Sequence, residues 1–226
     1  MPFAAAREFN RRAADLAESN NEKPTAGGYK VTMAATAAEV GDVDLATRLV
    51  NTAQELNPSS SDQALAAVAI ARAGEWVGAQ KIIDGLTRQY PLDTMVNYGV
   101  QTASASIELN RSRPDRALVL LEPTSRYEYG GEWGMYAVYI RGLAHLQLRR
   151  GKEAAADFQE ILDHRGIVLN NVWGALVHLG LARAYAMHGD TAKARAKYED
   201  FLTLWKDGDP DVPVLQQAKA EYAKLQ

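Results

Sequence analysis

The side chains that could carry out acid–base, nucleophilic or metal chemistry are few and scattered. Ser59 to Ser61 form a polar linker, and Glu199-Asp200 lie among lysines and arginines as a solvated face of mixed charge. The histidines do not pair on one helical face around an acid, as a helical zinc site requires. Without cysteine the chain has neither disulfides nor thiolate ligands. We therefore expect no catalytic residue, no metal and no cofactor. The histidines are His145, His164, His178 and His188.

One segment, residues 164–171, follows the order of a protein-kinase catalytic loop, in which His-Arg-Asp is followed by asparagine. Gly166 stands where the catalytic aspartate would be, and the chain has no glycine-rich phosphate loop and no Asp-Phe-Gly motif. We therefore interpret the segment as a loop at a helix end.

Composition and charge are those of a soluble protein. The chain has 226 residues, and its 25 basic against 28 acidic residues give a net charge of -3. That balance gives no reason to expect nucleic acid or an anionic membrane as partner. Because no apolar run approaches 18 residues, we also expect no membrane insertion.

Three landmarks recur together at an interval of 33 residues: a turn glycine, a small residue and a proline. The pairs are Gly41 and Gly74, Ala46 and Ala79, and Pro58 and Pro91. Residues 181–202 give the clearest copy, with two short helices joined at Gly189-Asp190. A helical hairpin cannot bury its apolar face alone, so copies must stack.

The repeats predict an all-α protein in which about five hairpins form an α–α superhelix, or solenoid. An N-terminal half-repeat helix and a C-terminal capping helix complete a single domain over residues 1–226. The hairpins are placed at residues 25–58, 60–91, 94–123, 132–165 and 169–205, and the capping helix at residues 211–226.

The order of small residue, aromatic, Gly-Asp, alanine and aromatic resembles the tetratricopeptide repeat. Tyr185, Gly189, Ala194 and Tyr198 carry the match most clearly, and it covers about residues 25 to 205. No unit has the full tryptophan, Leu-Gly and tyrosine set of the first helix. The resemblance implies a noncatalytic scaffold that binds a peptide or protein partner in a concave groove.

Residues 144–226, with the upstream segment PDRALVLLEP, resemble the C-terminal repeat region of bacterial, especially acidobacterial-type, serine/threonine protein kinases and related multidomain regulators. The resemblance implies that the chain is the C-terminal module of a signalling protein. Its compartment would be the bacterial cytoplasm or the extracytoplasmic side of a membrane-anchored parent. The alternative function is a self-association or ligand-sensing module of such a kinase.

Aromatic residues cluster around the Gly130-Gly131 insertion and in the helix after it. In tetratricopeptide arrays the first helix of each hairpin lines the groove, which would make these side chains peptide anchors. The other interpretation is that they fill core space around the insertion. The candidate groove residues are Tyr129, Trp133, Tyr136, Tyr139, Leu143 and Arg183.

Overall fold

The computed structural model describes residues 2–130 and 133–225, and these ranges contain thirteen α-helices and no β-strand. The predicted all-α class is therefore confirmed. A 3-10 helix, Glu122–Tyr127, follows α7. Within the described ranges, no helix combines the length and apolarity needed to cross a membrane. The helices are α1 (Phe3–Ser19), α2 (Lys23–Val40), α3 (Val43–Gln54), α4 (Ser60–Arg72), α5 (Trp76–Gln89), α6 (Thr94–Asn110), α7 (Pro114–Leu121), α8 (Tyr136–Gln147), α9 (Gly151–Asp163), α10 (Arg165–Val168), α11 (Trp173–Met187), α12 (Thr191–Leu204) and α13 (Pro213–Ala223).

Five helix pairs, α2–α3, α4–α5, α6–α7, α8–α9 and α11–α12, are joined by turns of the same geometry. Each turn holds one residue at positive φ, which closes the preceding helix. The next residue donates its backbone N–H to the carbonyl five positions earlier, over 2.8 to 3.0 Å. The positive-φ residues are Gly41, Gly74, Ser112, Arg149 and Gly189.

The second helix of each pair places an alanine at the same position after the turn. These five alanines are fully buried, which lets the two helices approach closely. A larger buried side chain follows four positions later in every case. The alanines are Ala46, Ala79, Ala117, Ala154 and Ala194, and the larger residues are Val50, Ile83, Leu121, Phe158 and Tyr198. The five pairs therefore repeat one packing arrangement.

The first helices of successive pairs contact one another early in the chain, since α2 packs on α4, α4 on α6, and α6 on α8, whereas α11 packs mainly on α9, the second helix of the preceding pair. α13 packs on both α12 and α2, so the two ends of the chain meet. Two helix starts differ from expectation. α8 begins at Tyr136 rather than near Trp133, and α11 begins at Trp173 because Leu169 has a non-helical φ of 54°. The predicted start of the fourth hairpin, residue 132, lies outside the described residues.

Enlarging one of the crossing alanines should overpack a hairpin. We expect Ala194→Leu to reduce the free energy of unfolding by about 1 to 3 kcal/mol, because the surrounding core is closed. Urea denaturation monitored by circular dichroism measures this. Ala196→Leu, at an exposed position of the same helix, is the matched control. Equal stability of the two variants would contradict the packing described here.

Candidate functional site

Three of the predicted groove residues belong to the core. Trp133, Tyr136 and Tyr139 are at most 5% exposed, which favours the interpretation that they fill core space. Tyr136 stacks face to face on Trp173, with 4.1 Å between ring centroids. Trp133 covers Gly99 so closely that a β-carbon there would overlap its ring. These rings therefore pack against other residues of the core.

Tyr139, Leu143 and Arg183 do lie together, and they line a small cavity of about 190 Å³. α13 forms one wall of this cavity through Pro213 and Val214. The Arg183 guanidinium forms a two-point ion pair with the α13 carboxylate of Glu221, at 2.9 and 3.0 Å. Arg183 therefore holds the chain's own C-terminal helix.

The cavity adjoins a buried network on α2, α4 and α8. The Glu39 carboxylate accepts from Arg72 Nε at 2.6 Å, from Arg72 Nη2 at 3.2 Å and from the Tyr136 hydroxyl at 2.7 Å. Burial, together with the charge of Glu39, holds the pKa of Tyr136 well above its ordinary value. The Tyr136 hydroxyl is thus a fixed hydrogen-bond donor, and the network ties α8 to α2 across 97 residues of sequence.

The remaining candidate, Tyr129, is exposed and belongs to a second polar cluster. Its hydroxyl donates to Glu160 at 2.6 Å. The guanidinium of Arg141 forms ion pairs with Glu160, Asp157 and Glu128. Through Glu128, the segment after the 3-10 helix contacts α8. One arginine therefore pairs with three carboxylates, which leaves this cluster with an excess of negative charge.

Glu128 should cost stability at neutral pH. Burial raises its pKa against the opposing effect of Arg141, so the folded protein holds this proton more tightly than the unfolded chain does. Stability due to Glu128 therefore falls as pH rises from its unfolded pKa through its folded pKa. We expect Glu128→Gln to gain stability relative to wild type between about pH 4 and pH 7, measured by urea denaturation at both values.

Arg141 keeps Asp157 and Glu160 in that variant, so it is not left unpaired. Glu122→Gln, at an exposed position of the same segment, is the control. A relative loss of stability for Glu128→Gln at pH 7 would mean that attraction to Arg141 outweighs the effect of burial.

The histidines occupy separate structural positions. His145 Nδ1 contacts Asp157 at 2.7 Å, and His164 Nδ1 contacts the Glu160 carbonyl at 2.8 Å. Burial lowers the pKa of His178. Among the described residues, no group of three or more histidine, cysteine, aspartate or glutamate side chains could hold a metal ion.

A surface groove lined by residues of α5, α6 and α7 carries exposed apolar side chains. It consists of two adjoining depressions of about 550 and 420 Å³ that share Gln80, Ile107 and Arg111. Val119 on α7 lines the first depression and Val77 on α5 lines the second, and they are 62% and 77% exposed. Exposed apolar side chains beside adjoining depressions are typical of an interaction surface. We call this feature the α5–α7 groove.

Basic side chains surround this groove. Arg111 lies over the half-exposed ring of Trp76, with its Cζ 4.6 Å from the ring centroid. Arg111, Arg113 and Arg116 share the single carboxylate of Glu108, at 3.7 to 4.0 Å. Asp115 also lines this wall, and it pairs with Arg150 at 3.6 Å. Four arginines therefore stand against two carboxylates, so this wall of the groove is positively charged although the net charge of the whole chain is -3.

The α5–α7 groove is not among the sites expected from the sequence, although α7 carries a signal for it. Residues 117–121 are apolar without interruption. A helix that packs on one neighbour buries only one stripe, so part of such a run must face outward. Here Ala117 and Leu121 are buried and Val119 is exposed.

Comparison with protein-family models, curated proteins and solved structures finds no match to this chain. The candidate site is therefore defined by its own geometry.

Proposed function

We propose that this chain is a noncatalytic interaction scaffold, a tetratricopeptide-like α-solenoid that binds a partner protein in the α5–α7 groove. The five equivalent turns and five buried alanines support the solenoid. The single observation that supports binding is the pair of exposed valines, one in each of two adjoining depressions, beside a tryptophan that Arg111 covers. A role in a signalling protein rests on the resemblance of the C-terminal region alone.

This proposal places the partner on a different surface from the one expected from the sequence. A peptide in the concave groove would need access to Tyr136 and Tyr139, and both are buried. The α5–α7 groove needs no rearrangement of the core, which agrees with the small backbone changes that most complexes show on binding.

Site-specific photo-crosslinking in the native host tests the proposal. A benzophenone amino acid placed at Val77 or Val119 should give one defined adduct, while the same group at Leu204 on α12 should not. Leu204 is 57% exposed and lies outside the groove, which makes it a matched control. The identified partner, once purified, should bind Val77→Asp/Val119→Asp at least about tenfold more weakly than wild type. Unchanged affinity would refute the site.

Self-association is the second candidate function, and one observation favours it. Phe9 and Leu16 on α1 are 59% and 64% exposed and lie seven residues apart, on one face of the helix. A second copy covering this face would bury both. Light scattering should then show a dimer that Phe9→Asp/Leu16→Asp converts to a monomer. A wild-type monomer at all concentrations would exclude it.

A further inference from the structure

We infer that the partner of the α5–α7 groove is an acidic amphipathic helix, an inference that rests on the proposed interaction function. Its apolar stripe would contact Val77, Val119 and the half-buried Leu120, and its carboxylates would face the arginines of the groove wall. The groove therefore selects its partner by charge as well as by apolar contact.

The arginine side chains around Glu108 have N–H donors that are not used in short hydrogen bonds to it. The ion pairs from Arg111, Arg113 and Arg116 to Glu108 are all long, at 3.7 to 4.0 Å, and Glu108 Oε2 is buried without a hydrogen-bond partner among the described residues. These guanidinium groups therefore approach Glu108 without using their donors in short hydrogen bonds to it. Guanidinium groups bind carboxylates by paired N–H donors. An incoming carboxylate could take such a position without displacing Glu108.

The α5 wall carries the same sign of charge. Lys81 and Arg88 on α5 line the groove together with a single acid, Asp84. Asp84 already accepts from Gln80 at 2.8 Å. A helix with acidic residues on both flanks of its apolar stripe would meet basic side chains on both walls. A basic helix would be repelled from both, and such like-charge contacts suppress wrong partners.

The shape of the groove favours a helix over an extended peptide. An extended segment binds most firmly by pairing with the edge of a sheet, and the described residues contain no strand. The helices that line the groove instead present rows of side chains into which a further helix can pack. α5 has 14 residues, which makes a partner helix of about four turns a suitable length.

A display selection with peptides of about 18 residues tests the inference. The library fixes leucines at helical spacing and randomises the flanking positions among Glu, Lys, Gln and Ala. Wild-type protein is the bait, and Val77→Asp/Val119→Asp serves for counter-selection. We expect acidic residues to outnumber lysines at the flanking positions of enriched peptides. The best peptide should bind Arg113→Glu/Arg116→Glu at least about tenfold more weakly, and Leu204→Asp as well as wild type.

The other outcomes separate the two proposals. Enriched peptides with neutral or basic flanks that still lose binding to the double aspartate variant would overturn the acidic partner but leave the docking function standing. No groove-dependent enrichment would overturn both. A wild-type dimer in light scattering that Val77→Asp/Val119→Asp abolishes would identify a second copy as the occupant and overturn the acidic helix.

Discussion

Replacing Tyr136 by alanine should destabilise the whole fold. The side chain is fully buried, stacks on Trp173 and donates a hydrogen bond to Glu39. Removing the ring leaves a cavity between α8 and α11, and we expect a loss of about 3 to 5 kcal/mol in the free energy of unfolding. Urea denaturation followed by circular dichroism and tryptophan fluorescence measures the change.

Two variants separate the ring from its hydroxyl. Tyr136→Phe keeps the stacked ring and removes only a hydrogen bond to a charged group, so its cost should be about 1.5 to 3 kcal/mol. Tyr127→Ala, at a 42% exposed position before the insertion, should change stability by less than about 0.5 kcal/mol. A Tyr136→Ala protein as stable as Tyr127→Ala, yet unable to bind a partner, would restore the role of a surface anchor.

Local signals in the sequence were sufficient to predict the hairpins. A glycine at a helix end accepts positive φ without strain, so Gly41, Gly74 and Gly189 mark three turns directly. Ser112 and Arg149 occupy the same conformation without being glycine. At those two turns the position was predictable only from the spacing of the alanines that follow.

The buried state of the aromatic cluster could not be predicted from local pattern. Periodicity identifies which residues share a helix face. It does not show whether that face is covered by a helix that is distant in the sequence, such as one 97 residues away. The contacts of Tyr136 with Glu39 and of Trp133 with Ser61 depend on how α2, α4 and α8 come together. The relative position of these helices depends on the small rotation and shift between each hairpin and the next. The sequence of a single repeat does not indicate how large that rotation and shift are.

The α5–α7 groove shows a different limit of sequence analysis. Its apolar residues are visible in the sequence, but an exposed valine and a buried valine look alike until the packing of α7 is known. The basic wall is also divided between a turn and a helix, since Arg111 and Arg113 precede α7 and Arg116 lies within it. Only the fold brings these side chains around Glu108 and reveals an excess of positive charge.

Replacing Arg72 by methionine should cost about 3 to 5 kcal/mol in the free energy of unfolding. The Glu39 side chain is 1% exposed and loses its only ion-pair partner among the described residues. Burial alone would lower the pKa of Arg72, but the adjacent carboxylate of Glu39 raises it on balance, so Arg72 carries its charge at neutral pH. A buried carboxylate without its counter-charge destabilises the folded state far more than a solvated one does. Arg11→Met, which breaks two exposed ion pairs on α1, should leave the midpoint of denaturation unchanged.

A second substitution should recover most of that loss. Glu39→Gln/Arg72→Met removes both charges, while the amide oxygen of the new glutamine still accepts from the Tyr136 hydroxyl. Replacing both members of a buried ion pair by neutral groups is often neutral or stabilising, whereas removing one is not. We therefore expect the double variant to be more stable than Arg72→Met by at least about 2 kcal/mol, measured as a double-mutant cycle in urea. If the double variant is no more stable than Arg72→Met, the loss comes from packing of the long Arg72 side chain and not from the unpaired charge of Glu39.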